Sequence, residues 1–179
     1  MLKPFPAVLS LILVAGLPLV GQAQESSPDL TDPEVAHVAV TANTIDIDAG
    51  KVALTHAKSE EVKNFANMMI RDHGGVNEKA AALAKRLNVT PKDNAVSQSL
   101  LKGADESKAK LQPLKGAAFD HAYIDREIAY HQAVLDALDK TLIPTTENAE
   151  LKALLTQVRP AIEAHLAYAK KIGGALASK

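Results

Sequence analysis

Hydrophobic residues recur at alternating intervals of three and four along most of this chain, which is the spacing of one face of an α-helix. Turn and helix-capping residues divide the pattern into four long segments. The pattern therefore predicts four long helices over residues 31–56, 59–88, 119–138 and 145–176. In the second and fourth segments the alternation continues without a fault.

Residues at the segment ends are typical of helix caps. Thr31 and Glu34 have the spacing of a capping box, which predicts that the first helix begins there. Asp120 is predicted to cap the third helix, with Phe119 and Ile124 forming a hydrophobic staple across its first turn.

The connection between the second and third helices is the least regular part of the chain. Residues 90–116 contain two prolines and two glycines, with a short helix predicted over residues 94–102. A connection of this length can run the full height of a bundle, so the two helices it joins need not form a hairpin. The predicted fold is therefore an all-α four-helix bundle with a long connection, containing short helical pieces, between its second and third long helices.

The N-terminal residues have the pattern of a secretory signal peptide. Lys3 provides a positive charge, an apolar run follows over residues 8–20, and Gly21 and Ala23 are small residues at the cleavage positions. We expect a signal peptide over residues 1–23, a flexible lead over 24–30 and one helical-bundle domain over 31–177. No later segment reaches membrane-spanning length. The chain is thus predicted to be exported, to the periplasm or to an association with the outer membrane.

Composition and charge exclude several classes of function. Hydrophobic residues make up 47% of the chain and aromatic residues only 3%, a balance that permits a core and favours helices over a β-sandwich. The net charge of -1 provides no electrostatic attraction to nucleic acid, so no nucleic-acid partner is expected. The chain has no cysteine, which excludes disulfides and thiolate ligands.

Three histidines lie on the predicted core-facing sides of three different helices. His73, His131 and His165 are each near the middle of their helix, and Glu127 and Asp46 or Asp48 are carboxylates within reach. Imidazole and carboxylate groups that converge inside a bundle are typical of a metal site, for which zinc or copper is the expected ion. Two alternatives stay open: a hydrogen-bonded network that only fixes helix register, or catalysis by the histidines.

Several short motifs resemble one known family. They are the run 62–66, Asp72-His73, Asn77, Phe119-Asp120, Tyr123, His131, Pro160 and His165-Leu166. In this order, over residues 33–176, the chain resembles the exported bacterial family called domain of unknown function 4142. The resemblance implies a ferritin-like fold and a periplasmic or outer-membrane location, and it adds Asp72, Asn77, Asp120 and Tyr123 to the candidate site residues. Where the family has Glu-x-Glu, this chain has Asp46 and Asp48.

A ferritin-like fold does not by itself predict iron chemistry. Di-iron bundles carry Glu-x-x-His on two helices, whereas isoleucine stands three residues before each of the three histidines, at positions 70, 128 and 162. The sequence contains no motif of a serine hydrolase, a phosphate-binding loop or a zinc protease, which favours a non-enzymatic role without deciding the question. The primary hypothesis is a non-enzymatic binding or structural, stress-related module of the cell envelope, which leaves an envelope partner or a second copy open. The alternative is a zinc- or copper-binding bundle.

Overall fold

In the computed structural model, which describes residues 30–178, the regular structure of that part is entirely helical. The long helices are α1 (Asp32–His56), α2 (Glu60–Leu87), α3 (Ala95–Leu111), α4 (Gly116–Ala137) and α6 (Ala149–Ala177); a π-helical segment, Leu138–Leu142, and the short α5 (Ile143–Thr145) follow α4. The all-α prediction is therefore confirmed. None of these helices is long and apolar enough to cross a membrane. The predicted signal peptide, residues 1–23, lies outside the described residues.

The helices associate as two pairs. α1 packs along α2 and α4 packs along α6, while contacts of α1 with α4 and of α2 with α6 join the pairs into a bundle. α3, in the connection between α2 and α4, packs mainly on α1. Leu30, the last residue of the predicted lead, is buried in the same core cluster as Val35. The connection between α2 and α4 contains one helix of 17 residues, α3, which is longer than the helix predicted over residues 94–102.

The apolar core has two clusters, which we call the upper and lower clusters. The upper cluster includes Val35, Val38, Leu83, Leu135, Leu151 and Leu155, and the lower cluster includes Ala53, Val62, Phe65, Met69, Phe119, Tyr123, Ala169 and Ile172. Along the chain, α1 and α6 pass from the upper to the lower cluster, whereas α2 and α4 pass from the lower to the upper. On α1, α2, α4 and α6, buried polar residues lie between the two clusters.

Asp120 does not cap the helix predicted over residues 119–138. That helix is α4, which begins at Gly116 and contains Asp120 within its second turn. Its carboxylate instead accepts hydrogen bonds from the backbone N–H groups of Lys58, at 3.0 Å, and Ser59, at 2.9 Å. These two residues form the turn between α1 and α2. Asp120 therefore stabilises the start of a different helix, which the local sequence pattern around Phe119 did not indicate.

Gly50 marks a close approach of α1 and α2. A Cβ atom at this position would lie 3.0 Å from Cγ1 of Ile70 and 3.1 Å from the backbone oxygen of Ala66. Real Cβ atoms are rarely so close to other heavy atoms, so the absence of a side chain allows the two helices to pack at this distance. The contact lies one helical turn from Asp46.

Candidate metal centre

The polar layer between the two core clusters is formed by side chains from four helices. Each of its acidic and imidazole groups is at most 5% exposed. They are Asp46 of α1, His73 of α2, Glu127 and His131 of α4, and His165 of α6. The structure therefore brings together the five residues that the sequence proposed as metal ligands.

The three imidazole rings form a nearly equilateral triangle. Ring centroids are 5.8 Å apart for His73 and His131, 5.4 Å for His73 and His165, and 5.5 Å for His131 and His165. One nitrogen from each ring lies within 4.8 Å of the other two. This convergence follows from the mid-helix position of each histidine on a core-facing side.

Hydrogen bonding determines which nitrogen of His73 carries the proton. Its Nδ1 atom lies 2.7 Å from Oδ1 of Asn43, and the amide nitrogen of Asn43 donates to Oδ1 of Asn77 at 3.0 Å. Because the amide nitrogen of Asn43 is used there, its oxygen faces the ring and accepts from Nδ1. Nδ1 of His73 therefore carries a proton, and its Nε2 atom faces Oδ2 of Asp46.

The other two rings are oriented in the same manner. His131 donates from Nδ1 to the backbone oxygen of Glu127 at 3.0 Å, and His165 donates from Nε2 to Oδ2 of Asp72 at 3.1 Å. A backbone oxygen and a carboxylate can only accept, so the bonded nitrogen of each ring carries the proton. In a neutral ring the other nitrogen, Nε2 of His131 or Nδ1 of His165, then has a lone pair. Within residues 30–178, neither of these atoms nor Nε2 of His73 has a hydrogen-bond partner.

One carboxylate oxygen completes this group of acceptors. Oδ2 of Asp46 lies 3.0 Å from Nε2 of His73 and 3.8 Å from Nε2 of His131. In a tetrahedral zinc site with bonds of about 2.0 to 2.1 Å, neighbouring ligand atoms are about 3.3 Å apart. The two distances from Asp46 lie on either side of that value, so Asp46 is placed to share an ion with His73 and His131.

Arg126 adds a positive charge to the layer that the sequence analysis missed. Its Nη1 atom contacts Oδ1 of Asp46 at 2.6 Å and Oε1 of Glu127 at 2.5 Å. The guanidinium also stacks over the ring of Tyr130, 4.2 Å from the centroid. Arg126 lies off the predicted core-facing side of its helix, and its only sequence signal was its position next to Glu127.

Burial and charge divide the titratable groups into distinct states. Burial lowers the pKa of His131 to about 4 and also lowers the pKa of His165, so these imidazoles are neutral at pH 7. Burial alone would raise the pKa of Asp46, but contact with His73 and the charge of Arg126 hold it well below its ordinary value. Burial and the charge of Asp46 raise the pKa of Glu127 despite Arg126. Asp46 is thus ionised, whereas Glu127 keeps its proton to a higher pH than an ordinary glutamate.

The Glu127→Gln variant should become more stable relative to the unmodified protein as pH rises. Burial raises the pKa of Glu127, so the folded protein holds a proton that the unfolded chain loses above about pH 4.5. The stabilisation from this group is complete below that pH and is lost as pH rises towards the folded pKa, whereas glutamine mimics the protonated acid throughout. The difference should grow by up to about 1.4 kcal/mol per pH unit. Urea unfolding with a chelator at several pH values measures it, and a difference independent of pH would contradict the expectation.

The remaining candidates lie at the edge of the layer or outside it. Asp72 and Asn77 are at its edge, where they orient His165 and Asn43. Tyr123 is buried one turn before Glu127, and its hydroxyl has no hydrogen-bond partner in the described part of the chain. Asp48 is exposed and pairs with Lys51 at 2.9 Å, so of the neighbouring pair Asp46 and Asp48 only Asp46 reaches the layer.

Comparisons with known proteins identify a family. The chain matches none of the curated proteins and none of the solved structures with which it was compared. Residues 18–172, which include the whole polar layer, match the family described as Domain of unknown function (DUF4142). Because this match extends over most of the 179 residues, the chain belongs to the DUF4142 family.

Proposed function

We propose that this protein binds one divalent metal ion, zinc or copper, through His73, His131, His165 and Asp46. The observation that carries the proposal is the convergence of one nitrogen from each of three buried imidazoles, none with a hydrogen-bond partner in the described part of the chain, beside a carboxylate oxygen of Asp46. Lone pairs held this close in a buried site repel one another. A cation placed among them turns the repulsion into four favourable bonds.

The partners on the outer side of each ring also support metal binding. Metal-ligating histidines usually donate their second N–H group to a carbonyl or a carboxylate, which fixes the tautomer and raises the basicity of the ligating nitrogen. Here the acceptors are the side chain of Asn43, the backbone of Glu127 and the carboxylate of Asp72. The layer thus resembles a ligand set whose supporting contacts are already formed.

A structural network is the competing interpretation. A proton on Nε2 of His73 would join that ring to Asp46, at 3.0 Å, without any metal. It would leave Nε2 of His131 and Nδ1 of His165 with no partner among residues 30–178. Because unsatisfied buried polar groups cost about 1 to 3 kcal/mol each, a metal ion accounts for the arrangement better than a single proton.

We further propose that the architecture is a ferritin-like four-helix bundle of an exported protein. Support for the architecture comes from the core clusters: α2 and α4 run in the same sense between them, so the connection containing α3 crosses the height of the bundle. Support for export comes from the pattern of residues 1–23 alone. A di-iron centre stays disfavoured, because none of the three interior histidines has the glutamate three residues before it that such a centre requires.

Metal titration of the protein produced without a histidine tag tests the proposed site. Isothermal calorimetry with zinc or copper should give about one equivalent, and an ion present at 100 times its dissociation constant should raise the free energy of unfolding by about 2.7 kcal/mol. His131→Ala and His165→Ala should each remove most of this stabilisation. His121→Ala, at an exposed position on α4, is the matched control and should keep it. Unfolding that is unaffected by either metal would favour the structural network.

A further inference from the structure

The two buried carboxylates of the polar layer share one nitrogen of Arg126. Oδ1 of Asp46 and Oε1 of Glu127 lie 2.6 Å and 2.5 Å from the same Nη1 atom. Both carboxylates are completely buried, and within residues 30–178 their second oxygens, Oδ2 and Oε2, have no hydrogen-bond partner. The guanidinium is therefore a bridging cation between two acidic groups.

We propose that Arg126 occupies the position that a second metal ion would take between Asp46 and Glu127, and thereby restricts the polar layer to a single ion. The inference rests on the proposed metal site of the three histidines. It concerns a second cation site, between Oδ1 of Asp46 and Oε1 of Glu127. In this chain the guanidinium of Arg126 fills that site.

The two acidic residues that Arg126 bridges belong to a group that could hold a metal ion. Asp46, Glu127 and His131 each offer one ligand atom within 4.8 Å of the others. The contacts of 2.5 and 2.6 Å from Nη1 are close to the distances of about 2.0 to 2.6 Å at which carboxylate oxygens bind magnesium or calcium. A second ion between these oxygens would coincide with the guanidinium nitrogen, so the two cannot be present together.

Arg126 is suited to remain in this place as a permanent charge. A guanidinium does not lose its proton in proteins, and the ring of Tyr130 supports its face at 4.2 Å. The hydroxyl of Tyr130 donates to the backbone oxygen of Ala42 at 2.8 Å, which anchors that ring to α1. The bridging cation is thus held by contacts on both α1 and α4.

A cavity leads from the surface to this position. It has a volume of about 530 Å³ between α1 and α3, and Arg126 lies on its wall together with Asp48, Val52, Leu101 and Asp105. The Arg126 side chain is 12% exposed, consistent with its position beside this cavity. Removing the guanidinium would extend this cavity towards Asp46 and Glu127, which Arg126 contacts on its inner side.

Zinc stoichiometry of Arg126→Met tests the inference. The unmodified protein should retain one zinc per chain after gel filtration, measured by mass spectrometry of the metal, and Arg126→Met should retain two. Arg159→Met is the matched control, because Arg159 also bridges two acidic residues, Asp139 and Glu163, but on the surface. It should retain one zinc, and the double variant Arg126→Met/Glu127→Gln should return to one.

The outcomes separate this inference from the proposed function. No zinc in the unmodified protein would refute the histidine site itself. One zinc in both the unmodified protein and folded Arg126→Met, or two in the unmodified protein, would overturn the role of Arg126 while leaving the histidine site intact. If Arg126→Met is unfolded without metal, two equivalents of zinc should restore its circular dichroism; failure to restore it would also overturn the inference.

Discussion

Replacing Phe65 with alanine is expected to lower the free energy of unfolding by about 3 to 5 kcal/mol, the range for deleting a fully buried aromatic side chain. Phe65 is 0% exposed and lies in the lower core cluster. Its ring packs edge-on against those of Tyr123, at 6.4 Å, and His131, at 6.3 Å. The cavity left by the substitution would therefore adjoin the polar layer and would loosen one of its three imidazoles.

Urea unfolding of Phe65→Ala measures the loss, and Leu101→Ala is the control. Leu101 on α3 is 48% exposed, so its truncation should change the free energy of unfolding by less than about 0.5 kcal/mol. A loss below about 1 kcal/mol for Phe65→Ala would mean that the lower cluster is much less tightly packed than its burial indicates.

Replacing Asp46 with asparagine should lower the free energy of unfolding by about 3 kcal/mol at pH 7, in the absence of metal. The substitution keeps the shape of the side chain but removes the charge that faces Arg126 at 2.6 Å. Breaking a buried ion pair usually costs about 3 to 5 kcal/mol. The lower end applies because removing the charge of Asp46 favours the ionised form of Glu127, which then balances the guanidinium.

Asp48→Asn is a closely matched control for this prediction. Asp48 lies on the same helix, two residues away, and forms an exposed ion pair with Lys51. Exposed pairs contribute about 0 to 1 kcal/mol, so the control should lose much less stability than Asp46→Asn. Equal losses in the two variants, measured by urea unfolding with a chelator, would contradict the assignment of Asp46 to a buried ionic layer.

Helix ends were predictable where the chain uses local capping chemistry. The capping box of Thr31 and Glu34 is present, with the backbone N–H of Thr31 donating to Oε2 of Glu34 at 3.0 Å. Asn88 ends α2 in the left-handed conformation, with φ of 52°. The helix predicted over residues 94–102 stops before Gly103, whereas α3 continues through this residue to Leu111. A single glycine costs only about 1 kcal/mol in a helix, so it does not end one by itself.

Long-range partners could not be read from helical periodicity. The spacing of three and four residues placed His73, His131 and His165 correctly in the interior, because each lies on the face that its helix presents to the core. α1 packs against both α2 and α4, so it buries more than one face, and a single-face pattern left Asn43 unrecognised. Arg126 was missed for a related reason, since its partner Asp46 is 80 residues away.

The close approach of α1 and α2 at Gly50 gives a residue outside the polar layer control over its size. Adding a methyl group would force Ile70 or the Ala66 carbonyl to move by a few tenths of an ångström. Such a movement would separate the helices that carry Asp46 and His73, whose facing atoms are 3.0 Å apart. Because main-chain atoms cannot change rotamer to give way, contact between two backbones limits how closely α1 and α2 can approach at the layer. If the proposed metal site forms, this minimum separation sets a lower limit on the ionic radius that Asp46 and His73 can share.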